Sequence, residues 1–439
     1  MMNESMQSRV RWMVLGAIWI SYVVNYMDRV SVLVFLPIIR QDLHFTHIQI
    51  AQAASVFFLA YSMTLICLGW TSDRFRPTFM MKLAISIFSI VTFCTGLMRL
   101  FYQFIIIRIL LGVGEGLHYP SILRTIGNWF PKSEKGRAVA IFATTWGIGP
   151  AFIPILVTWL ATVIGGWRAV FMVLFIPGLI AILLVMLFIF DSPDFALRRK
   201  KISEQEYNYI ESGLVRVKGE TGLSFKRQLG IVLGDTRFWF YCMVMFCQSG
   251  AFWGSTAWLS SFLYEQHKFK MVEMGAMASL PYVAGTCAML TAGWSMDRIF
   301  GGRVRPILIF SFLLTAGALY FVSYVPVGHT GTLVLALLVL GFFMNLQSGV
   351  CYSYPQVRYP KEVVGFASGF SNGAGQFGAF TAPLVAGYLV RQTVSGTNFT
   401  YAFLFFAILN LLGAVCTAFM KDGVYEYKGR IVEGAVPAP

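Results

Sequence analysis

Charge is what this chain has least of. Charged side chains make up 12% of its 439 residues, about half of the roughly 25% usual in soluble domains. Mean hydropathy is +0.68, and aromatics reach 16%, with 40 Phe. A water-soluble globule of this size cannot hide that much apolar side chain, so the solvent that fits is lipid. Pairing signals for cysteine are missing too. The seven cysteines, Cys67, Cys94, Cys242, Cys247, Cys287, Cys351 and Cys416, all fall inside apolar runs, without a CxxC and in odd number. They read as reduced small hydrophobes, not as a disulfide framework or a metal site. No metal-ligand cluster, nucleophile elbow or phosphate loop occurs, which argues against an enzyme and against a cofactor. A membrane sensor would need a soluble output domain, and no loop or tail here has the length of one.

What the chain has instead is long apolar runs. A membrane-spanning helix needs about 20 mostly apolar residues, and the sequence offers twelve such segments: 12–36, 48–70, 79–98, 103–123, 137–161, 168–190, 238–263, 275–296, 305–325, 332–354, 364–389 and 401–420. The first contains Asn25, Asp28 and Arg29 and has no small-residue cleavage site after it, so it reads as a retained span and not as a signal peptide. The expected fold is all-α and transmembrane, with a bundle over 1–190, a linker loop over 191–237, a second bundle over 238–420 and a tail over 421–439.

The net charge of +14 would suggest nucleic acid in a soluble protein. Here the basic residues sit in short loops between spans. With the N-terminus placed inside, the great majority fall on the cytoplasmic side, which predicts both termini in the cytoplasm of a bacterial inner-membrane protein. The linker opens at Asp191 and carries the basic run Arg198, Arg199, Lys200 and Lys201, a positive-inside anchor that also suits contact with anionic lipid. Ser203 and Glu206 then form a capping-box pattern for a short surface helix.

The linker divides the spans six and six, and each half repeats one device. After the second span come Gly69, Asp73, Arg74 and Arg76; after the eighth come Gly293, Asp297, Arg298 and Arg303. In both, glycine is followed at the same spacing by Asp-Arg and further basic residues. Two copies in register imply an internal duplication. Glycine allows close helix approach, and the Asp can pair with a basic neighbour, a contact suited to holding one side of a carrier shut.

These features resemble the major facilitator superfamily over essentially the whole chain. The likeness narrows to its anion:cation symporter family, on Asn25, Asp28 and Arg29 in the first span and on Arg108, Gly112, Gly114, Glu115, Gly116 and Pro120 in the fourth. Trp129-Phe130-Pro131, Gly166-Trp167-Arg168 with Phe171, and Gly369, Asn372, Gly375 and Pro383 extend it. The resemblance implies a twelve-helix fold of two pseudo-symmetric bundles, with the first and fourth spans lining a central cavity, and no enzyme activity. Sugar-acid carriers of that family tend to place an amide where this chain has Trp146, and a more polar run where it has Cys351 and Tyr352. A flatter or less hydroxylated carboxylate than a sugar acid is therefore also open.

An ionisable side chain at bilayer depth costs about 2.5–3.5 kcal/mol on insertion scales and usually faces a water-filled path or a partner. Asn25, Asp28 and Arg29 stand at i, i+3 and i+4 on one side of the first span, flanked by Tyr22 and Tyr26; Arg108 and Glu115 share a face of the fourth with His118 and Tyr119. Arg29 is the expected clamp for the anionic group of a substrate, since its fork matches a carboxylate, with Tyr22 and Asn25 beside it. Asp28 and Glu115 are the expected proton carriers, and Arg108 the partner traded for the proton. The alternative for all four is a fixed buried ion network that orders the helices; for His118 it is an ordinary hydrogen-bonded histidine. In the second half Gln248 and Tyr352 are polar at membrane depth, and Asn372 follows from the resemblance; each could also be a helix-packing contact. The expected function is proton-coupled import of a small organic anion, such as a sugar acid or other carboxylate, by a monomer. The other open reading is a proton-coupled exporter of drugs or metabolites, suggested by Gly147, Gly149 and Pro150 in the fifth span.

Overall fold

The structure is a computed structural model that describes residues 10–68, 75–214, 225–359, 361–394, 396–423, 426–427 and 430–431. Helices occupy the twelve expected places. They are α1 Val10–Asp42, α2 His47–Leu68, α3 Pro77–Leu97, α4 Phe101–Trp129, α5 Lys132–Ala143 continued by Thr145–Ile164, and α6 Trp167–Val173 continued by Phe175–Phe188. The second set is α7 Thr236–Ser261, α8 Met271–Arg298, α9 Val304–Tyr324, α10 Thr330–Cys351, α11 Lys361–Leu389 and α12 Thr400–Ala418. Nine of these segments are apolar and long enough to cross a membrane by composition alone. The other three are α7, α8 and α11. A turn of π-helix, Phe262–Gln266, ends α7, and a two-stranded hairpin, β1 Arg391–Thr393 with β2 Gly396–Asn398, precedes α12.

The chain forms two compact units: Met1–Val32 with Leu59–Val217, and Leu33–Phe58 with Lys218–Pro439. In the first, α3 packs on α4 and α6. In the second, α7 packs on α11, α8 on α10, and α9 on α10 and α12. Two of these contacts depend on the absence of a side chain. A Cβ on Gly341 of α10 would lie 2.2 Å from the carbonyl oxygen of Pro281 in α8, and one on Gly378 of α11 would lie 2.1 Å from that of Phe246 in α7. Only glycine lets the backbones meet this closely. The faces not used in packing carry large exposed apolar side chains, among them Leu179, Leu183, Met186 and Leu187 on α6. In water they would be an aggregation surface; in a bilayer they are solvated.

The duplication is written into the hydrogen bonds at the linker end of each unit. After α6, Asp191 accepts from the backbone N–H of Thr78 at 3.2 Å, capping the first turn of α3. After α12, Asp422 accepts from the backbone N–H groups of Val304 and Arg305, both at 3.1 Å, capping α9. One residue earlier, the carbonyl of Phe190 accepts from the indole N–H of Trp129, and that of Lys421 from the hydroxyl of Tyr354.

The linker is more structured than a loop. Ser203 Oγ accepts from the N–H of Glu206 at 3.2 Å and starts the helix Glu204–Gly213, as the capping pattern predicts. The Glu206 carboxylate takes a longer reach: it accepts from the backbone N–H groups of Val10 and Arg11 and from the Arg11 guanidinium at 3.1 Å. Arg11 also bonds Glu134 at the start of α5. A carboxylate at the N-terminus of α1 meets the positive end of the helix dipole, so this network ties the linker to the first unit.

Candidate functional site

In the first unit, α1 presents Asn25, Asp28 and Arg29 inward, and all three are buried. From α4, Arg108 and Glu115 are fully buried as well. The arrangement differs from the expected one in its choice of partner. Glu115 Oε2 accepts from Arg29 Nε at 2.8 Å and also from Arg29 Nη2, so the carboxylate is held by Arg29, where the sequence pointed to Arg108. Arg108 lies within electrostatic range of both members of that pair. Glu115 Oε1 has no hydrogen-bond partner among the described residues.

Asp28 stands beside the Thr92 hydroxyl of α3 and within electrostatic range of Glu115. No hydrogen bond of good geometry reaches either of its oxygens among the described residues, and the same holds for both amide atoms of Asn25. Unsatisfied polar atoms at such depth cost on the order of 1–3 kcal/mol each.

Aromatic rings close the site. The Arg29 guanidinium lies 5.3 Å from the Tyr26 ring centre and 5.0 Å from that of Tyr61, both cation–π distances. Tyr22 meets Tyr26 at 5.6 Å, Tyr119 at 6.2 Å and Phe142 at 4.8 Å. His118 is buried between Tyr22 and Phe88, with Nε2 3.4 Å from Ser21 Oγ. Tyr61 and Thr92 were not singled out from the sequence. Each stands among several small polar residues of its span, and only the packing of α2 and α3 on the charged stripe gives it meaning.

The second unit treats its three candidates differently. Gln248 is buried, but both ends of its amide are taken: Nε2 donates to Ser348 Oγ at 2.6 Å, and Oε1 accepts from Ser249 at 3.1 Å. It bridges α7 and α10. Tyr352 stands at the break between α10 and the short helix Tyr354–Arg358, within the span that continues to Arg358, and is 42% exposed. Asn372 is half-buried in α11. Trp146 is half-buried in the second part of α5. Of the repeated device, Gly69, Asp73 and Arg74 lie outside the described residues, as does the side chain of Asp297. Among the described residues a Cβ on Gly293 would meet nothing within 4 Å; Arg298 ends α8, exposed. Among the described residues no group of three or more His, Cys, Asp or Glu side chains could hold a metal ion.

A further ionic cluster, which the sequence did not single out, lies at the C-terminal end of α1. Glu265, 3% exposed in the π-helical turn, accepts from Arg40 at 3.0 and 3.1 Å, and from Thr397 of the hairpin at 3.0 Å; His47 Nε2 lies 3.1 Å away. Gln392 in turn lies 3.4 Å from His47 Nδ1. Burial works against ionisation of Glu265, but the bond from His47 and the Arg40 charge outweigh it, and its carboxyl is held below the usual carboxylate range. Arg40 and Glu265 sit at span ends, where single charges are ordinary topology signals, so nothing in the sequence pairs them.

The family model of the Major Facilitator Superfamily matches residues 18–383 and 273–433. The chain is 29% identical over 94% of its length to a probable sulfoacetate transporter of Cupriavidus necator, of which it covers 94%. It is 26% identical to a D-galactonate transporter of Escherichia coli O6:H1, over 94% of this chain and 96% of that one. Among solved structures, a D-xylose-proton symporter superposes with a TM-score of 0.74 at 15% identity, over 96% of this chain and 99% of that one. A bacterial homologue of the human lysosomal transporter Spinster, in an inward-facing and occupied conformation, gives 0.73 at 14%, over 94% and 96%. At such identities the likeness carries the fold alone. Twelve helices in two duplicated sets, a charged stripe buried at bilayer depth and a family match along nearly the whole chain lead to one assignment: this membrane protein belongs to the Major Facilitator Superfamily and is a transporter.

Proposed function

We propose that the chain is a proton-coupled symporter that imports a small organic anion across the bacterial inner membrane by alternating access, in the manner of the anion:cation symporter family, as a monomer with both termini in the cytoplasm. The transported anion is a sugar acid or another small carboxylate or sulfonate. The observation that carries this reading is the Arg29–Glu115 pair. Arg29 is the side chain best suited to grip a carboxylate, and it is already occupied by one. A substrate anion can take the guanidinium only as Glu115 gives it up, and Glu115 gives it up most readily by accepting a proton. Binding of the anion and uptake of the proton are thereby linked through one competition. Asp28, buried beside Thr92 and with its oxygens unsatisfied among the described residues, is the second proton carrier, and Arg108 supplies the positive field that decides when either acid ionises. Asn25, Tyr22, Tyr26 and Tyr61 shape the site around Arg29. Gln248, Tyr352 and Asn372 are the substrate contacts proposed for the second half. Gly69, Asp73, Arg74, Gly293, Asp297 and Arg298 are the proposed gate. The names of the relatives, sulfoacetate and D-galactonate, support an anionic ligand of this size.

The test is reconstitution into liposomes that hold a pH-sensitive dye, with hexonates, hexuronates, short dicarboxylates, sulfoacetate and aromatic acids added outside. Acidification of the lumen on addition of one acid supports symport and names the ligand class. Silence for every acid, with protons driven out by a lipophilic cation instead, replaces this reading with the exporter.

A further inference from the structure

At the linker end of the first unit, α3 and α6 open a groove of about 550 Å³ that has no part in the site above. Three cations line it. Arg76 precedes α3, Lys82 lies within it, and Arg199 stands in the linker, its guanidinium 5.0 Å from the Phe195 ring centre. Most of the rest of the wall is apolar: Phe79, Met186 and Ile189 among others. Phe79 and Met186 are 52% and 61% exposed, on the helix faces that meet lipid. One acid, Asp191, also borders the groove, but its carboxylate is engaged with Thr78.

Lys82 is the residue that needs a reason. It is half-buried, five residues past Pro77 and hence about 7–8 Å along the helix axis. A lysine at that depth must reach back toward the interface or meet an anion. Cations at the mouth and an apolar wall below match a molecule with an anionic head and hydrocarbon tails. A free anion would leave the wall unused; a zwitterionic lipid would bring an ammonium group toward three positive charges.

We infer that this groove is a binding site for an anionic phospholipid, with its phosphate held by Arg76, Lys82 and Arg199 and an acyl chain laid along Phe79 and Met186. Near a charged interface each cation contributes about five-fold in affinity, on the order of 100-fold for three. The experiment is native mass spectrometry of the full chain released from detergent. It is titrated with phosphatidylglycerol, phosphatidylethanolamine or soluble glycerol phosphate, and the tightest adduct is followed. The expected result is a preference for phosphatidylglycerol, lost on the order of 100-fold in Arg76→Gln/Lys82→Gln/Arg199→Gln with phosphatidylethanolamine unaffected. Should the triple variant fail to fold, Arg199→Gln alone, an exposed change, decides the matter by a loss of about five-fold. Unchanged phosphatidylglycerol affinity in the folded variant overturns the site. Displacement of the lipid by an equal concentration of glycerol phosphate overturns the lipid as its occupant.

Discussion

Replacing Glu115 by Gln keeps the shape of the side chain and removes the charge that holds Arg29. In the present geometry Glu115 Oε2 receives two N–H groups from that guanidinium. Hydrogen bonds to charged groups contribute about 1.5–3 kcal/mol each. A substrate carboxylate that displaces Glu115 must match both, whereas against a neutral amide it competes with one weak bond. If one charged bond's worth is released to the substrate, the anion binds roughly 10- to 150-fold more tightly, at 1.4 kcal/mol per factor of ten. The sign with pH follows. In the wild type, protonating Glu115 does what the substitution does, so affinity rises as pH falls; in Glu115→Gln it is high and flat. The assay is equilibrium binding, at several pH values, of the anion that scores in the liposome panel, followed by transport. Exchange of labelled for unlabelled substrate should persist in the variant, while accumulation against a gradient is lost. Weaker binding than wild type at every pH, or a pH dependence equal to the wild type's, refutes the competition between Glu115 and substrate for Arg29.

Asp28→Asn should abolish proton-driven accumulation without reducing the amount of protein in the membrane; unchanged accumulation removes Asp28 from the coupling path. Glu265→Gln leaves Arg40 and His47 facing a neutral group, and its stability in detergent should fall, read as a lower melting temperature, by less than the roughly 3–5 kcal/mol of breaking a fully buried pair from one side, because the Arg40 side chain is 20% exposed. Because the carboxyl of Glu265 is held below its ordinary range in the folded protein, that stabilisation is present above the ordinary carboxylate range and fades as pH drops through the lower folded value. A melting temperature that falls in parallel for wild type and Glu265→Gln on acidification would deny the cluster this role. Gly341→Ala puts a methyl group 2.2 Å from the Pro281 carbonyl, and should cost about 1–3 kcal/mol, read as a lower melting temperature; a neutral outcome means that α8 and α10 can slide apart freely.

The features that were legible in the sequence are those that one dimension can carry. Hydropathy located the helices, because the bilayer imposes length and composition on each span separately. The inward placement of Asn25, Asp28 and Arg29 followed from helical spacing, since residues three and four apart share a face. The repeat was visible because duplication copies spacing. Partnership was not visible. Whether Glu115 meets Arg29 or Arg108 depends on how α1 and α4 are rotated about their axes and how they cross, and a shift of one residue in either would change the outcome. Tyr61 and Thr92 belong to the site through the packing of α2 and α3 alone. Gln248 shows the same limit: spacing puts a polar residue at depth, but only the packing of α7 on α10 shows that its amide meets Ser249 and Ser348.

The paired caps of Asp191 and Asp422 bear on the order in which the protein is made. Each closes the third helix of its set with a residue that follows the sixth, so the first turn of α3 leaves the ribosome more than a hundred residues before its cap exists. Until then its first-turn N–H groups depend on water or headgroups, and the set stays open at one edge. The clasp snaps shut when Asp191 emerges, before synthesis of the second set begins. Nothing translated later relieves Asp422 of its duty, so a truncation or a fusion joint placed directly after α12 would leave α9 permanently uncapped, whereas one placed beyond residue 423 would spare it.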